Sequence, residues 1–161
     1  MKISIIRIVV SWLMVILTMI IIFNFSEKDS KDSMETSEGV IKDILEVVLP
    51  EEEITPEKIT KLQFPIRKLA HFGIYMLLGL SLSCALVYSL KIKKLFIFSI
   101  SLVLSFCYAC LDEWHQSYTG RTQAFTDVLI DTGGALIGIV IFVLIFYLCE
   151  RLKLKNKNPS A

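Results

Sequence analysis

Several motifs that would identify an enzyme are missing from this 161-residue sequence. It contains no H-E-x-x-H, no G-x-S-x-G and no P-loop, so no common hydrolase or nucleotide-binding signature is present. Cys107 and Cys110 form a C-x-x-C, but no second pair accompanies them, and we interpret them as small apolar residues of a helix. The lysines and arginines form no single patch, which argues against nucleic acid as a partner.

The sequence lacks such motifs but is rich in long apolar runs. The sequence is 54% hydrophobic and its mean hydropathy is +0.63, well above an ordinary soluble domain. The first run is longer than a signal-peptide core and no A-x-A-like cleavage site follows it, so we predict an uncleaved spanning helix. Four runs approach the roughly 20 residues that a helix needs to cross a membrane. They are residues 8–25, 66–90, 95–111 and 124–148. The sequence therefore predicts an all-α integral membrane protein, a four-transmembrane-helix bundle in one domain over residues 1–161.

Basic residues indicate how the bundle is oriented. Arg7 precedes the first span, K-I-K-K (91–94) separates the second from the third, and R-L-K-L-K-N-K follows the fourth. Residues 27–64 instead carry five lysines against eleven acids. Because cytoplasmic flanks are enriched in lysine and arginine, both termini are predicted to be cytoplasmic, with segments 26–65 and 112–123 outside.

The outer segment 26–65 is polar at first and then amphipathic. Apolar residues recur there at near-helical spacing before Pro50, and Pro56 suits the first turn of another helix. We predict two short amphipathic helices that lie on the outer face of the bundle. A solvated tether is the alternative.

Ionisable residues inside the spans cluster at the predicted outer end. Lys68, His71 and Tyr75 share one face of the second helix, and Asp127 and Asp131 lie four residues apart at the start of the fourth. The third helix ends in D-E-W-H-Q. A charge facing lipid costs at least about 2.5–3.5 kcal/mol, so these side chains are expected to face one another and form a shared polar pocket.

Three motifs carry a family resemblance. They are K-L-A-H-F-G-I-Y-M-L-L-G-L in the second span, D-E-W-H-Q at the end of the third and, after G-R, D-V-L-I-D-T-G-G-A-L-I-G in the fourth. Together they resemble the VanZ-like family of bacterial membrane proteins, whose founding member is associated with resistance to the glycopeptide teicoplanin. The positions carried over from the family are Lys68, His71, Tyr75, Glu113, Gln116, Arg121, Asp127 and Asp131, with Gly134 and Gly138 for close helix packing.

Two positions depart from the family pattern. Many relatives have a longer turn with a proline before the arginine, where this chain has only S-Y-T-G before Arg121. Relatives often have asparagine where this chain has Asp131, which adds a charge to the predicted pocket.

Binding of an anionic ligand is the first functional hypothesis. Lys68 and Arg121 would hold the anion, since arginine binds a carboxylate or phosphate through two parallel hydrogen bonds. The acids Glu113, Asp127 and Asp131 would orient these cations. The expected partner is a membrane lipid headgroup, a lipid-linked cell-wall precursor or a lipoglycopeptide, and the resemblance implies a role in teicoplanin resistance at the bacterial cell membrane.

Two alternatives remain open from the sequence. A lipid-directed hydrolase or transferase would use His71 as general acid or base, oriented by Glu113 or Asp127. A metal-bound variant would add His115 to these three as a ligand, although the sequence itself predicts neither a cofactor nor a resident metal. In the other alternative the charged residues form a salt-bridged network that only fixes the register of the helices.

Overall fold

The structure of the protein is a computed structural model that describes residues 5–27, 38–39, 41–43, 55–119 and 124–157. It confirms the predicted all-α bundle, because four helices are long and apolar enough to cross a membrane and the described residues contain no strand. The helices are α1 (Ile5–Glu27), α2 (Pro56–Ser89), α3 (Lys94–Gln116) and α4 (Phe125–Lys157), and a short 3-10 turn, Ser117–Thr119, follows α3.

The start of α2 differs from the sequence prediction. The span was predicted from residue 66, but α2 begins at Pro56, whose fixed φ suits a first helical turn. The Thr55 side chain caps this end by accepting a hydrogen bond from the Lys58 N–H at 3.4 Å. Pro65 lies inside the helix and removes a single backbone donor. The second short outer helix is therefore the first part of α2 and not a separate element.

A short helical stretch before α2 corresponds to part of the first predicted outer helix. Residues 38–39 and 41–43 are helical. Ile41 is fully buried and forms a small apolar cluster with Ile59 of α2. This contact explains how the amphipathic segment is held against the bundle. The remainder of that predicted helix, residues 44–49, lies outside the described residues.

Close backbone contact between α2 and α4 is the main feature of the packing. α2 contacts the other three helices and packs most extensively on α4. Gly134 and Gly138 of α4 have no room for a Cβ, because carbonyl oxygens of α2 lie directly against them. Gly79 of α2 is placed in the same way against the carbonyl of Ala135. Small residues permit this approach in lipid, where no hydrophobic force draws helices together.

Side-chain hydrogen bonds attach α1 to the other helices at several levels, two of which lie before its C-terminal end. Trp12 Nε1 donates to Ser89 Oγ at the end of α2, at 2.9 Å. Further along α1, the Tyr108 hydroxyl of α3 donates to the Met19 carbonyl, also at 2.9 Å. Most of the other large side chains of α1 are apolar and exposed, as expected of a helix that faces lipid.

Candidate functional site

One end of the bundle collects buried polar side chains, and we call it the polar end. It consists of residues 67–75 of α2, 112–116 of α3 and 124–131 of α4. These segments meet because α2 and α4 start where α3 ends. Its buried polar side chains, 4% to 8% exposed, are Asp112, Glu113, Gln116 and Asp131. Charges buried to this degree require partners, so their contacts decide what the site can do.

An ion pair joins α2 to α4 at the less buried level of the polar end. Lys68 contacts the carboxylate of Asp127, and the two side chains are 23% and 30% exposed. The Thr126 hydroxyl donates to the same carboxylate at 3.4 Å. The Lys68 ammonium also lies 4.4 Å from the centre of the Phe64 ring. Two of the predicted binding residues are thus partners of each other.

The side chain of Glu113, a residue of α3, contacts the start of α4. Its Oε1 accepts a hydrogen bond of 2.6 Å from the N–H of Ala124, the residue before the helix. A carboxylate is favourable there because the amide groups of a helix N-terminus carry partial positive charge. Glu113 therefore ties the end of α3 to the start of α4. Arg121, in the loop between them, lies outside the described residues.

Gln116 brings α1 into the polar end. Its Nε2 donates to Asp112 Oδ2 at 3.1 Å and to Ser26 Oγ at 3.3 Å. Ser26 is fully buried at the end of α1. The amide thereby orients the Asp112 carboxylate and connects two helices. Ser26 was not among the predicted site residues, because a serine at the end of an apolar run does not by itself indicate a buried contact.

A more deeply buried group contains one histidine and two aspartates. One ligand atom from each of His71, Asp112 and Asp131 lies within 4.8 Å of the other two. His71 Nδ1 is 3.9 Å from Asp131 Oδ2. Asp112 and Asp131 are buried and the His71 side chain is 16% exposed; we call these three residues the buried trio. It differs from the predicted metal-bound variant, since Asp112 and Asp131 lie beside His71 where Glu113 and Asp127 were expected.

Tyr75 lies next to the buried trio. Its side chain is fully buried, and its hydroxyl makes no hydrogen bond of regular geometry among the described residues, although the Asp112 carboxylate is close enough to accept one. Asp112 and Asp131 are both close enough to interact with it electrostatically. The ring packs at 6.3 Å, centre to centre, from that of Tyr108.

A cavity of about 20 Å³ lies between the Lys68–Asp127 pair and the trio, which is room for about one water molecule. The residues that line it are Arg67, Lys68, His71, Gln116, Asp127, Ile130 and Asp131. Arg67 was not among the predicted site residues. Its position next to Lys68 in the first turns of the span was the available signal.

The second histidine, His115, belongs to the polar end but faces α1. His115 stacks on the Phe23 ring of α1, with ring centres 4.8 Å apart, and it is not part of the buried trio. Its neighbour Trp114 is 58% exposed and meets the Tyr118 ring edge-on. Only one of the two histidines in the chain is thus placed for chemistry at the polar end.

The fold and the site together define a class: a four-helix membrane protein with a buried polar network at one end of the bundle. Within that class, the chain belongs to the VanZ/LLP1 family, whose sequence model matches residues 11–147. The matched region contains all of α2, α3 and the polar end, and most of α1 and α4. No curated protein and no solved structure matches the chain.

Proposed function

We propose that the polar end faces the outside of the bacterial cell membrane and binds the anionic group of an envelope ligand. The candidate ligands are a lipid headgroup, a lipid-linked wall precursor and a lipoglycopeptide such as teicoplanin, to which the protein would contribute resistance. The observation that carries the proposal is that two adjacent cations, Arg67 and Lys68, line the polar cavity. Cations at the level of the headgroups attract anionic lipid groups.

The size of the cavity limits how such a ligand binds. About 20 Å³ admits a water molecule and not a phosphate or a sugar, so the anion would bind at the rim. The Lys68–Asp127 pair is partly exposed, and an exposed ion pair exchanges partners at little cost. Arg67 would add a planar guanidinium that holds two oxygens at once. Arg121 is proposed to complete the clamp from the adjoining loop.

The outward orientation is tested by cysteine labelling in intact cells. Lysine and arginine flank the opposite end of the bundle, which supports a cytoplasmic location for both termini. We expect Ser33→Cys to react with a membrane-impermeant maleimide, and Lys93→Cys to react only after permeabilisation. The unmodified protein, whose cysteines Cys84, Cys107 and Cys110 lie in predicted spans and whose Cys149 directly follows the fourth, is the control. The reverse pattern would place the polar end in the cytoplasm and refute an outer ligand.

Ligand binding is tested by native mass spectrometry of the full chain in detergent. The probes are undecaprenyl diphosphate, phosphatidylglycerol and teicoplanin, with phosphatidylcholine as the lipid that has no net charge. We expect at least about a tenfold weaker binding of the preferred anion in Arg67→Gln than in the unmodified protein, since bonds to charged groups contribute about 1.5–3 kcal/mol. Lys94→Gln, at the other end of the bundle, is the matched control. Equal binding by both variants would contradict the proposal.

A lipid-directed hydrolase or transferase is the second candidate. It is favoured by one observation, the imidazole of His71 beside the Asp131 carboxylate, which suits a general acid or base. His71→Gln should then abolish turnover of a phospholipid or polyprenyl diphosphate while the protein still accumulates in the membrane. Loss of accumulation without any turnover in the unmodified protein would favour the salt-bridged network instead.

A further inference from the structure

The buried trio has the composition of a metal site. We propose that His71, Asp112 and Asp131 bind a divalent ion of the zinc class, which includes zinc and chemically similar first-row metals. Imidazole nitrogen and carboxylate oxygen are ligands that such ions prefer, and three protein ligands with one open position are typical of reactive zinc sites. The three residues come from α2, α3 and α4, so the ion would join three helices. The inference goes beyond the proposed function, because the ion would be bound without any envelope ligand.

The separation of His71 and Asp131 suits a shared ion better than a direct hydrogen bond. The gap of 3.9 Å between His71 Nδ1 and Asp131 Oδ2 is too long for a hydrogen bond. Two ligands of one tetrahedral zinc, with bonds of about 2.1 Å, lie about 3.4 Å apart. Small side-chain rotations would bring the trio to that separation, since its ligand atoms already lie within 4.8 Å of one another.

Tyr75 provides an independent observation. The buried Tyr75 hydroxyl makes no hydrogen bond of regular geometry among the described residues, and such groups often mark a place where an ion or water is bound. Asp112 lies close enough to accept from this hydroxyl, and both Asp112 and Asp131, the two carboxylates of the trio, interact with it electrostatically. An ion between these carboxylates, or a water bound to it, would give the Tyr75 oxygen a partner.

The balance of charge points to the same place. Among the described residues of the polar end there are four carboxylates but only two permanently cationic side chains, those of Arg67 and Lys68. Asp127 is paired with Lys68, and Glu113 is bound to the N-terminal end of α4. The remaining two carboxylates are those of the trio, so a divalent cation would be bound where negative charge is concentrated.

Gln116 is placed to orient one of the proposed metal ligands, Asp112. Its amide donates to Asp112 Oδ2 at 3.1 Å, which leaves the other carboxylate oxygen for an ion. Hydrogen bonds of this kind orient metal ligands, and their loss typically weakens binding about 10–100-fold. Gln116→Leu should therefore lower zinc affinity without removing a ligand.

The chain offers a matched pair of variants for the test, because it has only two histidines. The full-length protein is purified in detergent through a tag that contains no histidine, dialysed against a weak chelator and analysed by inductively coupled plasma mass spectrometry. We expect about one zinc per chain in the unmodified protein and in His115→Gln. His71→Gln should retain at least about tenfold less zinc. Equal zinc content in the two variants, or none in the unmodified protein after incubation with zinc, would overturn the proposal.

A second measurement needs no variant and covers the case in which His71→Gln does not fold. Cobalt(II) replaces zinc in such sites, and its visible absorption reports the coordination number. Titration of the unmodified protein with cobalt(II) should give a saturable four- or five-coordinate spectrum that zinc abolishes and magnesium does not. A spectrum of six-coordinate aqueous cobalt throughout the titration would refute the site.

Discussion

The two ends of the bundle contain similar charged residues in opposite surroundings. At the end formed by the start of α3 and the end of α4, Lys94 and Glu150 form an ion pair of 2.6 Å whose side chains are 48% and 50% exposed. At the polar end, Asp131 is 4% exposed and Glu113 is 8% exposed. Exposed pairs contribute about 0–1 kcal/mol, whereas removing one partner of a buried pair costs about 3–5 kcal/mol. The charged side chains at the end with Lys94 and Glu150 are therefore solvent-exposed and contribute little to stability. Those at the polar end are part of the buried interior of the bundle.

The largest expected effect is on the packing that supports the polar end. Gly138→Ala places a Cβ against the backbone of α2, so the two helices must separate. We expect a loss of about 3 kcal/mol, at the upper end of the usual range for overpacking, and a strong fall in membrane abundance. The measurement is the fraction of protein that remains monodisperse after heating.

Gly133→Ala is the matched control for this prediction. A Cβ there meets only the edge of the Phe72 ring, at an ordinary 3.9 Å. Because alanine favours helix by up to about 1 kcal/mol over glycine, this variant should be neutral or slightly stabilised. Equal heat sensitivity of the two variants would show that the α2–α4 contact does not limit stability.

An intermediate loss of stability is expected when an ion pair is removed, and it should differ between the two ends of the bundle. Lys68→Met leaves Asp127 without its partner in a partly buried position, and we expect a loss of about 1–2 kcal/mol, less than for a fully buried pair. Lys94→Met removes an equivalent pair at the exposed end and should cost about 0.5 kcal/mol or less. Apparent melting temperatures in detergent provide the measurement. A larger loss in Lys94→Met would reverse the contrast between the ends.

The smallest effect on stability is expected for Arg121→Lys, which keeps the charge in a loop. We predict normal membrane abundance but loss of most activity in a glycopeptide-susceptibility assay, because lysine cannot hold a planar anion through two parallel bonds. Full activity of the lysine variant would eliminate the anion clamp. The charge of Arg121 would then serve only to balance the acids of the polar end.

The sequence predicted the helices and the end at which the charges collect, but not the pairing within it. Apolar runs and intramembrane charges are strong signals because lipid penalises every alternative. Neighbours such as Asp112 and Glu113, by contrast, point about 100° apart on a helix, and nothing in the sequence states how α3 is rotated. A buried stripe of small residues leading to Asp112 and Gln116, namely Ser101, Ser105 and Ala109, would have been the signal to follow.

The continuity of α2 from Pro56 into the span was not predicted, for a similar reason. A short helix and a separate span were expected there, and Pro65 between them is a residue that usually ends or kinks a helix. Local sequence does not reveal that Ile59, before the proline, is buried against Ile41. That contact stabilises the part of α2 that precedes Pro65. The contact of Gly79 with α4 was also not predicted. A single glycine does not reveal a close helix contact unless the helix that packs against it is known.

The glycine contacts also determine which parts of the protein can move. Where backbone lies on backbone there are no side chains to change rotamer, so α2 and α4 should behave as one stiff body. His71 and Asp131 belong to this body, whereas Asp112 and Gln116 belong to α3. A backbone movement that widens the 20 Å³ cavity is therefore expected to displace α3, which contributes Gln116 to its lining. Entry to the site would then require α3 to move away from α2 and α4, and the hydrogen bond between Glu113 and Ala124, which joins α3 to the start of α4, would have to break.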